Sequence, residues 1–402
     1  MKDPQIKKLI EQEKKRQKKV INLIASENYA SKDVLAALGS ELTNKYAEGY
    51  AGKRYYGGNE IVDKIENLCK ERALKLFGLS PQKWHVNVQP LSGSPANLAV
   101  YLALLGGADF TKNHIEPKKI MGMSLDHGGH LTHGHKVSAS GKFWTQISYG
   151  VDKKTEQLDY DEIKRIALRE KPDIIVAGYT AYSRKIDWKK FKIIADVCGA
   201  YLMADISHIA GLVAAGEHLS PFLYCDVVTS TTHKTLRGPR AALIFSKIDS
   251  REIYKKIDKA VFPGLQGGPH LNNIASVAIA LAEANQPSFK KYIKQVVRNA
   301  KAMSEEFKKL GWRVISGGTD THLFLLDTMS RGISGKQASE LLEQNGIIVN
   351  KNAIPFDSRP PMDPSGIRIG APAETTRGRK EKDFIRIARK IDGILRAEVG
   401  NI

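Results

Sequence analysis

Thr229-Ser-Thr-Thr-His-Lys-Thr-Leu-Arg-Gly-Pro-Arg240 is bracketed by two short apolar runs, Cys225–Val228 and Ala241–Phe245. Runs of that length read as buried strands, so the hydroxyl-rich stretch begins where one strand ends. In an open α/β sheet, ligands are held in the crevice beyond the strand ends. One lysine, Lys234, stands there beside His233. A lysine ordinarily titrates near ~10.4 and is a solvated cation. Burial and neighbouring positive charge favour loss of its proton and make it a nucleophile. Arg237 and Arg240 bring positive charge, and the hydroxyls suit a phosphate. An amine so placed suits a Schiff base with an aldehyde cofactor, pyridoxal phosphate. A surface turn in a lysine-rich chain is the alternative reading.

Outward from this stretch, strands and helices alternate. Val86–Gln89, Ile120–Met123, Thr145–Tyr149, Asp173–Gly178, Tyr201–Ala204 and Val227–Val228 read as strands. Ser92–Leu105, Asp161–Arg169 and Trp188–Cys198 read as helices between them. Such alternation means βαβ units and a mainly parallel sheet. Upstream, residues 1–20 read as a charged amphipathic helix, and Ser31 as the N-cap of a helix through Leu38. Tyr46–Asn59, rich in tyrosine and glycine, reads as a loop lying against a ligand, with Asn59 capping the helix that follows. Beyond Phe262–Pro269, helices over about 271–284 and 288–310 lead into short strands near Val314, Leu323–Leu326 and Ile347–Val349. Ile354–Pro364 reads as a loop, and Lys380–Val399 as a basic closing helix. The pattern predicts an N-terminal arm (1–32), a large domain (33–275) and a smaller one (276–402).

The 402 residues are 42% hydrophobic, ample for a sizeable core. No apolar run is long enough to span a bilayer, and no signal peptide opens the chain. Cys69, Cys198 and Cys225 lack metal-ligand spacing and read as reduced core thiols, which predicts a cytoplasmic protein. The formal charge of +19 raises the question of a polyanionic partner. Its lysines are spread along helical faces without a nucleic-acid motif, so the reading is a solvated surface and no membrane partner, with a nucleic-acid-binding protein on an enzyme's fold as the alternative that the charge alone suggests.

Three further groups carry chemistry. Ser92, Gly93 and Ser94 precede a helix with Pro95 at its first position, and free amides, hydroxyls and the helix dipole make an anion site there. An ordinary N-cap is the alternative. Asp205 ends the strand Tyr201–Ala204, where a carboxylate can pair with a protonated pyridine nitrogen; His208, three residues on, is expected to support it. Asp126-His-Gly-Gly-His-Leu-Thr-His-Gly134 holds His127, His130 and His133. The spacing lacks a carboxylate or cysteine partner for a metal, and a flat ring held by glycines suits stacking on a cofactor, which is assigned to His130.

Together Thr-Thr-His-Lys-Thr-Leu-Arg-Gly-Pro-Arg, Ser-Gly-Ser-Pro-Ala-Asn, Gly-Gly-His-Leu-Thr-His-Gly, Tyr-Ala-Glu-Gly-Tyr with Arg-Tyr-Tyr-Gly-Gly, and Leu-Ile-Ala-Ser-Glu-Asn resemble serine hydroxymethyltransferase, from about Ile21 to Pro372. The resemblance implies a pyridoxal-phosphate transferase fold. Its parts would be a mainly parallel seven-stranded sheet in the large domain, an N-terminal helical arm and a smaller α+β C-terminal domain. It implies reversible conversion of serine and tetrahydrofolate to glycine and methylenetetrahydrofolate. Lys234 would carry the cofactor as a Schiff base, His130 stack on its ring, and Asp205 hold its nitrogen. Thr180 and His208 would bond near its phenolic oxygen. Ser92, Gly93 and Ser94 would take the phosphate, helped by His233 and by Gly267 and Gly268 of a neighbouring subunit. Arg368 would clamp the substrate carboxylate. Glu48, also from the neighbour, would be the acid/base, with Ser26, Tyr46 and Tyr56 around the substrate. Folate, often carrying a polyglutamate tail, would lie near Leu125, Gly129, His130, Leu131 and Asn352. A homodimer is then required, and a tetramer remains open. Another enzyme of the same fold, a threonine aldolase or an aminotransferase, is the competing reading; Glu48, Asn352 and the Tyr-Ala-Glu-Gly-Tyr loop favour folate chemistry.

Overall fold

The computed structural model describes residues 2–106 and 118–399. Seven strands form the principal sheet: β1 (Trp84–Asn87), β2 (Lys119–Met123), β3 (Thr145–Tyr149), β4 (Ile174–Ala177), β5 (Tyr201–Asp205), β6 (Val227–Thr231) and β7 (Ala242–Lys247). Their order is β1-β7-β6-β5-β4-β2-β3, and only β7 runs antiparallel to its neighbours. The inner strands are apolar on both faces because both are covered. Along them, alternate residues enter two cores. Met121, Ile175, Leu202, Val228 and Leu243 join one, under helices that include Glu60–Leu76 and Trp188–Cys198. Ile120, Ile174, Met203, Val227 and Ile244 join the other, under Gly93–Leu105 and Ile253–Lys259. The two-residue periodicity of a pleated strand requires this division.

A second sheet of β8 (Arg313–Val314), β9 (Leu323–Asp327), β10 (Asn350–Asn352) and β11 (Gly366–Gly370) is antiparallel, in the order β8-β9-β11-β10. It shares a third core with Pro287–Lys309, Gly335–Gln344 and Glu381–Val399. The long helix Pro287–Lys309 belongs to two cores: Phe289 and Ile293 pack under the large sheet, while Val296, Ala300, Met303 and Phe307 pack with the small one. That shared rod fixes one sheet relative to the other.

The first helix, Pro4–Lys19, is capped by the Asp3 carboxylate and buries no residue. The chain then enters the small unit: Ile21–Asn22 pairs in parallel with Ile347–Ile348, and Leu23 is fully buried. Glu374, also buried, accepts from Asn22 N at 2.9 Å, from Arg377 at 2.9 Å and from Arg379 at 2.6 Å. A buried carboxylate is tolerable only when paired and hydrogen-bonded like this.

Several local expectations change. β6 runs on to Thr231, so the first three residues of the hydroxyl-rich stretch are strand. Pro95 occupies the third helical position rather than the first, since Ser92 is the N-cap of Gly93–Leu105. Asn59 stands at an N-cap position but its amide donates to Tyr56 O instead of capping. Tyr46–Asn59 contains a two-stranded ribbon, Gly49–Tyr50 with Lys53–Arg54.

Candidate active site

Loops beyond the carboxyl ends of β1, β2, β4, β5 and β6 enclose a cavity of about 310 Å³. Ser26, Ser92, Gly93, Ser94, His130, Thr180, Asp205, His208, His233 and Lys234 all line it, although they span more than half the sequence. Gly178 makes one of these approaches possible: its φ is +142°, and a Cβ there would lie 2.0 Å from Asp205 O.

Ser92 begins the helix Gly93–Leu105 without spending its hydroxyl on a cap. The amides of Gly93 and Ser94 stand in the first turn, where N–H groups have no intrahelical acceptor. A Cβ on Gly93 would fall 2.7 Å from Thr231 Cγ2, so glycine lets this turn sit directly over the end of β6. His233 is mostly buried nearby, its Nδ1 without a partner. Burial, with Lys234 and Arg240 close by, pulls its pKa to about 3. This corner offers donors and positive potential to an anion.

Asp205 accepts from Asn97 Nδ2 at 2.9 Å, from Ser207 N at 3.0 Å and from His133 Nε2 at 3.2 Å. Burial alone would raise its pKa; the bond and charge of His133, then His130 and Ser207, hold it well below the ordinary range. It is therefore an ionised carboxylate in a buried position. Asn97 is itself oriented by Thr229, whose hydroxyl donates to Asn97 Oδ1 at 2.8 Å. The expected support from His208 is absent. His208 instead places Nδ1 3.3 Å from Nε2 of His322, because the turn after β5 carries it toward the small sheet. His133 and Asn97 take the supporting role.

Lys234 Nζ makes no ion pair among the described residues, and burial brings its pKa down to about 8. Asp205 opposes the shift, while Arg368 and Arg240 reinforce it. Arg237 does not contribute as expected: it lies against the rings of Tyr292 and Phe289, 4.3 and 5.5 Å from their centroids. His130 is tied by Thr132, with Nδ1 2.7 Å from its hydroxyl and accepting from its amide at 3.2 Å, so the ring proton resides on Nε2. Burial first and His133 second lower its pKa to about 4. Arg368, on β11, is buried just behind the cavity; it donates to Thr180 O at 2.8 Å and to Asn350 Oδ1 at 3.1 Å.

A second group stays apart within one chain. Tyr46 donates to Glu48 at 3.3 Å and packs edge-on against Tyr56, 5.1 Å between centroids. Gly267 and Gly268 lie against Glu48 and Tyr46, and with Tyr46 they line a separate cavity of about 670 Å³. None of these five lines the Lys234 cavity. Nor do Leu125, Gly129, Leu131 and Asn352. Gly129 has a structural reason of its own, since a Cβ there would meet Met123 O at 2.0 Å. Leu131 is exposed, and Asn352 lies on β10 two residues from the partner of Arg368. The remaining histidines of 127–135 diverge: His127 accepts from Val151 N and His135 from Val137 N.

Asn97, His133, Ser207 and His322 went unpredicted. Asn97 follows the Ser-Gly-Ser turn by one helical turn, a readable signal. His322 has none, being brought 114 residues to His208 by the docking of the two sheets.

The cavity fits pyridoxal phosphate on its own terms. It has a buried amine readily deprotonated, an ionised carboxylate, and an uncommitted helix start with unpaired donors. The family model described as serine hydroxymethyltransferase matches residues 1–391. The serine hydroxymethyltransferase of Rickettsia akari (strain Hartford) is 54% identical over 393 residues, 98% of this chain and 90% of that relative. The probable serine hydroxymethyltransferase of Rickettsia bellii (strain RML369-C) is 55% identical over the same shares. With a lysine cavity built this way and a family match over residues 1–391, this chain belongs to the serine hydroxymethyltransferase family, which uses pyridoxal phosphate to pass the hydroxymethyl carbon of serine to tetrahydrofolate.

Proposed function

We propose that Lys234 is the amine that carries the cofactor and that the working site is assembled from two copies of the chain. When bound, pyridoxal phosphate supplies an aldehyde to capture the amino group of serine and a ring that accepts the electron pair released as Cα–Cβ breaks. Ser92, Gly93, Ser94 and His233 hold the phosphate, with Gly267 and Gly268 of the second copy closing over it. Asp205 keeps a proton on the pyridine nitrogen, and His130 stacks on the ring. Thr180 and His208 bond the phenolic oxygen. Arg368 holds the substrate carboxylate with a two-pronged contact, which a guanidinium makes better than an ammonium. Glu48 of the second copy holds the serine hydroxyl proton and returns one during transfer, beside Ser26, Tyr46 and Tyr56. Leu125, Gly129, His130, Leu131 and Asn352 bound the folate, and the basic surface suits a polyglutamate tail in a cytoplasmic enzyme.

The observation that carries this reading is the buried Lys234 amine, pulled to about 8, in one cavity with Asp205 and the Ser92–Ser94 turn. The two-copy site is supported by the separation of Glu48, Tyr46, Gly267 and Gly268 from that cavity, with Tyr46 and Tyr56 half exposed. Mixing Lys234→Met chains with Glu48→Gln chains tests it. Each alone should be inactive. After unfolding and refolding together, half the dimers are mixed and one of their two sites is intact, so about a quarter of normal activity should return. No recovery from mixed, refolded dimers would place Glu48 and Lys234 in one chain's site.

A further inference from the structure

Deeper than the cavity, two histidines meet. His208 Nδ1 and His322 Nε2 are 3.3 Å apart, with their rings 5.5 Å between centroids and inclined by 28°. Both are buried. His208 also lines the Lys234 cavity, and its Nε2 has no protein partner among the described residues. His322 Nδ1 is buried and equally unpartnered. One proton must lie between the two rings, and there are two ways to place it.

If His208 donated, the proton of a neutral His322 would sit on Nδ1 with no acceptor. Buried orphaned N–H groups are rare, and each costs about 1–3 kcal/mol. His322 further shares a cavity of about 10 Å³ with Arg184, Tyr179, Tyr182 and His218, and the Arg184 cation there favours a lone pair over a second N–H. Both rings are held neutral: burial and then Lys234 push His208 well below its ordinary value, and burial and then Arg368 bring His322 to about 3.

We propose that His322 is a positioning residue that donates its Nε2–H to His208 Nδ1, fixing the proton of His208 on Nε2 so that His208 presents an N–H to the cavity. The group so presented is matched to an anionic oxygen of cofactor or substrate. This rests on the reading of the Lys234 cavity given above, but the proton placement itself needs no ligand.

The test is long-range proton–nitrogen NMR on cofactor-free protein carrying ¹⁵N-histidine, with His208 assigned by the signals lost in His208→Asn. The wild type should show His208 as the Nε2–H tautomer. His322→Gln, whose amide can still donate from the same place, should keep that tautomer; His322→Leu should lose it. In the loaded enzyme His322→Leu should lower kcat about 10-fold or more with KM for serine little changed, and His322→Gln should recover most of it. A wild-type His208 protonated on Nδ1 would overturn the proposal, as would an unaltered tautomer in His322→Leu. Either outcome leaves the family and Lys234 untouched. Should His322→Leu fail to fold, the wild-type tautomer still decides.

Discussion

Replacing Asp205 with asparagine asks whether the cavity is organised around an ionised carboxylate. The change keeps shape and volume and converts one acceptor into a donor. Asp205 now accepts from Asn97, His133 and Ser207 N. An amide with its oxygen toward Ser207 turns its NH₂ on Asn97 and His133. Asn97 cannot yield, because Thr229 fixes its oxygen. His133 can move its proton to Nδ1, but that atom has no partner. The opposite orientation sets NH₂ against the Ser207 amide. Either way at least one buried donor is orphaned and one charge-assisted bond is lost, at about 1–3 kcal/mol each, so Asp205→Asn should cost about 2–6 kcal/mol. Asp205→Ala, which removes every acceptor, should cost somewhat more. Chemical unfolding of cofactor-free protein measures both. Serine turnover should fall about 100-fold, the loss of some 2.7 kcal/mol expected when a buried charge loses its partner. Asp205→Asn within about 0.5 kcal/mol of wild type, the range of a surface substitution, would refute the ionised hub.

Arg368→Lys should raise KM for serine about 10- to 100-fold with a smaller effect on kcat, since a point charge replaces a planar fork; unchanged KM would free Arg368 of the carboxylate. His322 should make stability depend on pH. Its folded pKa is near about 3 and its ordinary one 6.5, so its contribution is intact above the ordinary value and is lost as pH falls toward the folded one. Burial comes first, with Arg368, Lys234 and His218 facing it. From about pH 7.5 to about pH 5 the wild type should lose about 2 kcal/mol that His322→Gln does not. Equal pH slopes in the two proteins would mean that folding leaves the pKa of His322 unchanged, against the burial described above.

Much of the fold could be read from residues alone. The strands Thr145–Tyr149 and Tyr201–Asp205 and the helix Trp188–Cys198 follow from periodicity and from caps such as Asp187, whose carboxylate accepts from Lys190 N. The helix Gly335–Gln344 had a signal that went unused, the reciprocal cap of Ser334 and Gln337. β11 was hidden because Gly366-Ile-Arg-Ile-Gly370 offers only two apolar residues between glycines, and it buries the arginine that alternation would turn to solvent. The site divides the same way. Lys234, Asp205 and the Ser92–Ser94 turn declare themselves, being chemistry at strand ends. The partners that tune them are contacts between distant segments: His133 on Asp205, His322 on His208, Thr229 on Asn97. No spacing rule encodes those; the packing of segments far apart in the chain does.

Borohydride reduction of the purified holoenzyme, followed by peptide mass mapping, addresses the central claim most directly. The cofactor should become permanently fixed to the peptide containing Lys234 and to no other, and Lys234→Met should take up no fixed label. Label on a different lysine, or equal labelling in Lys234→Met, would contradict the account.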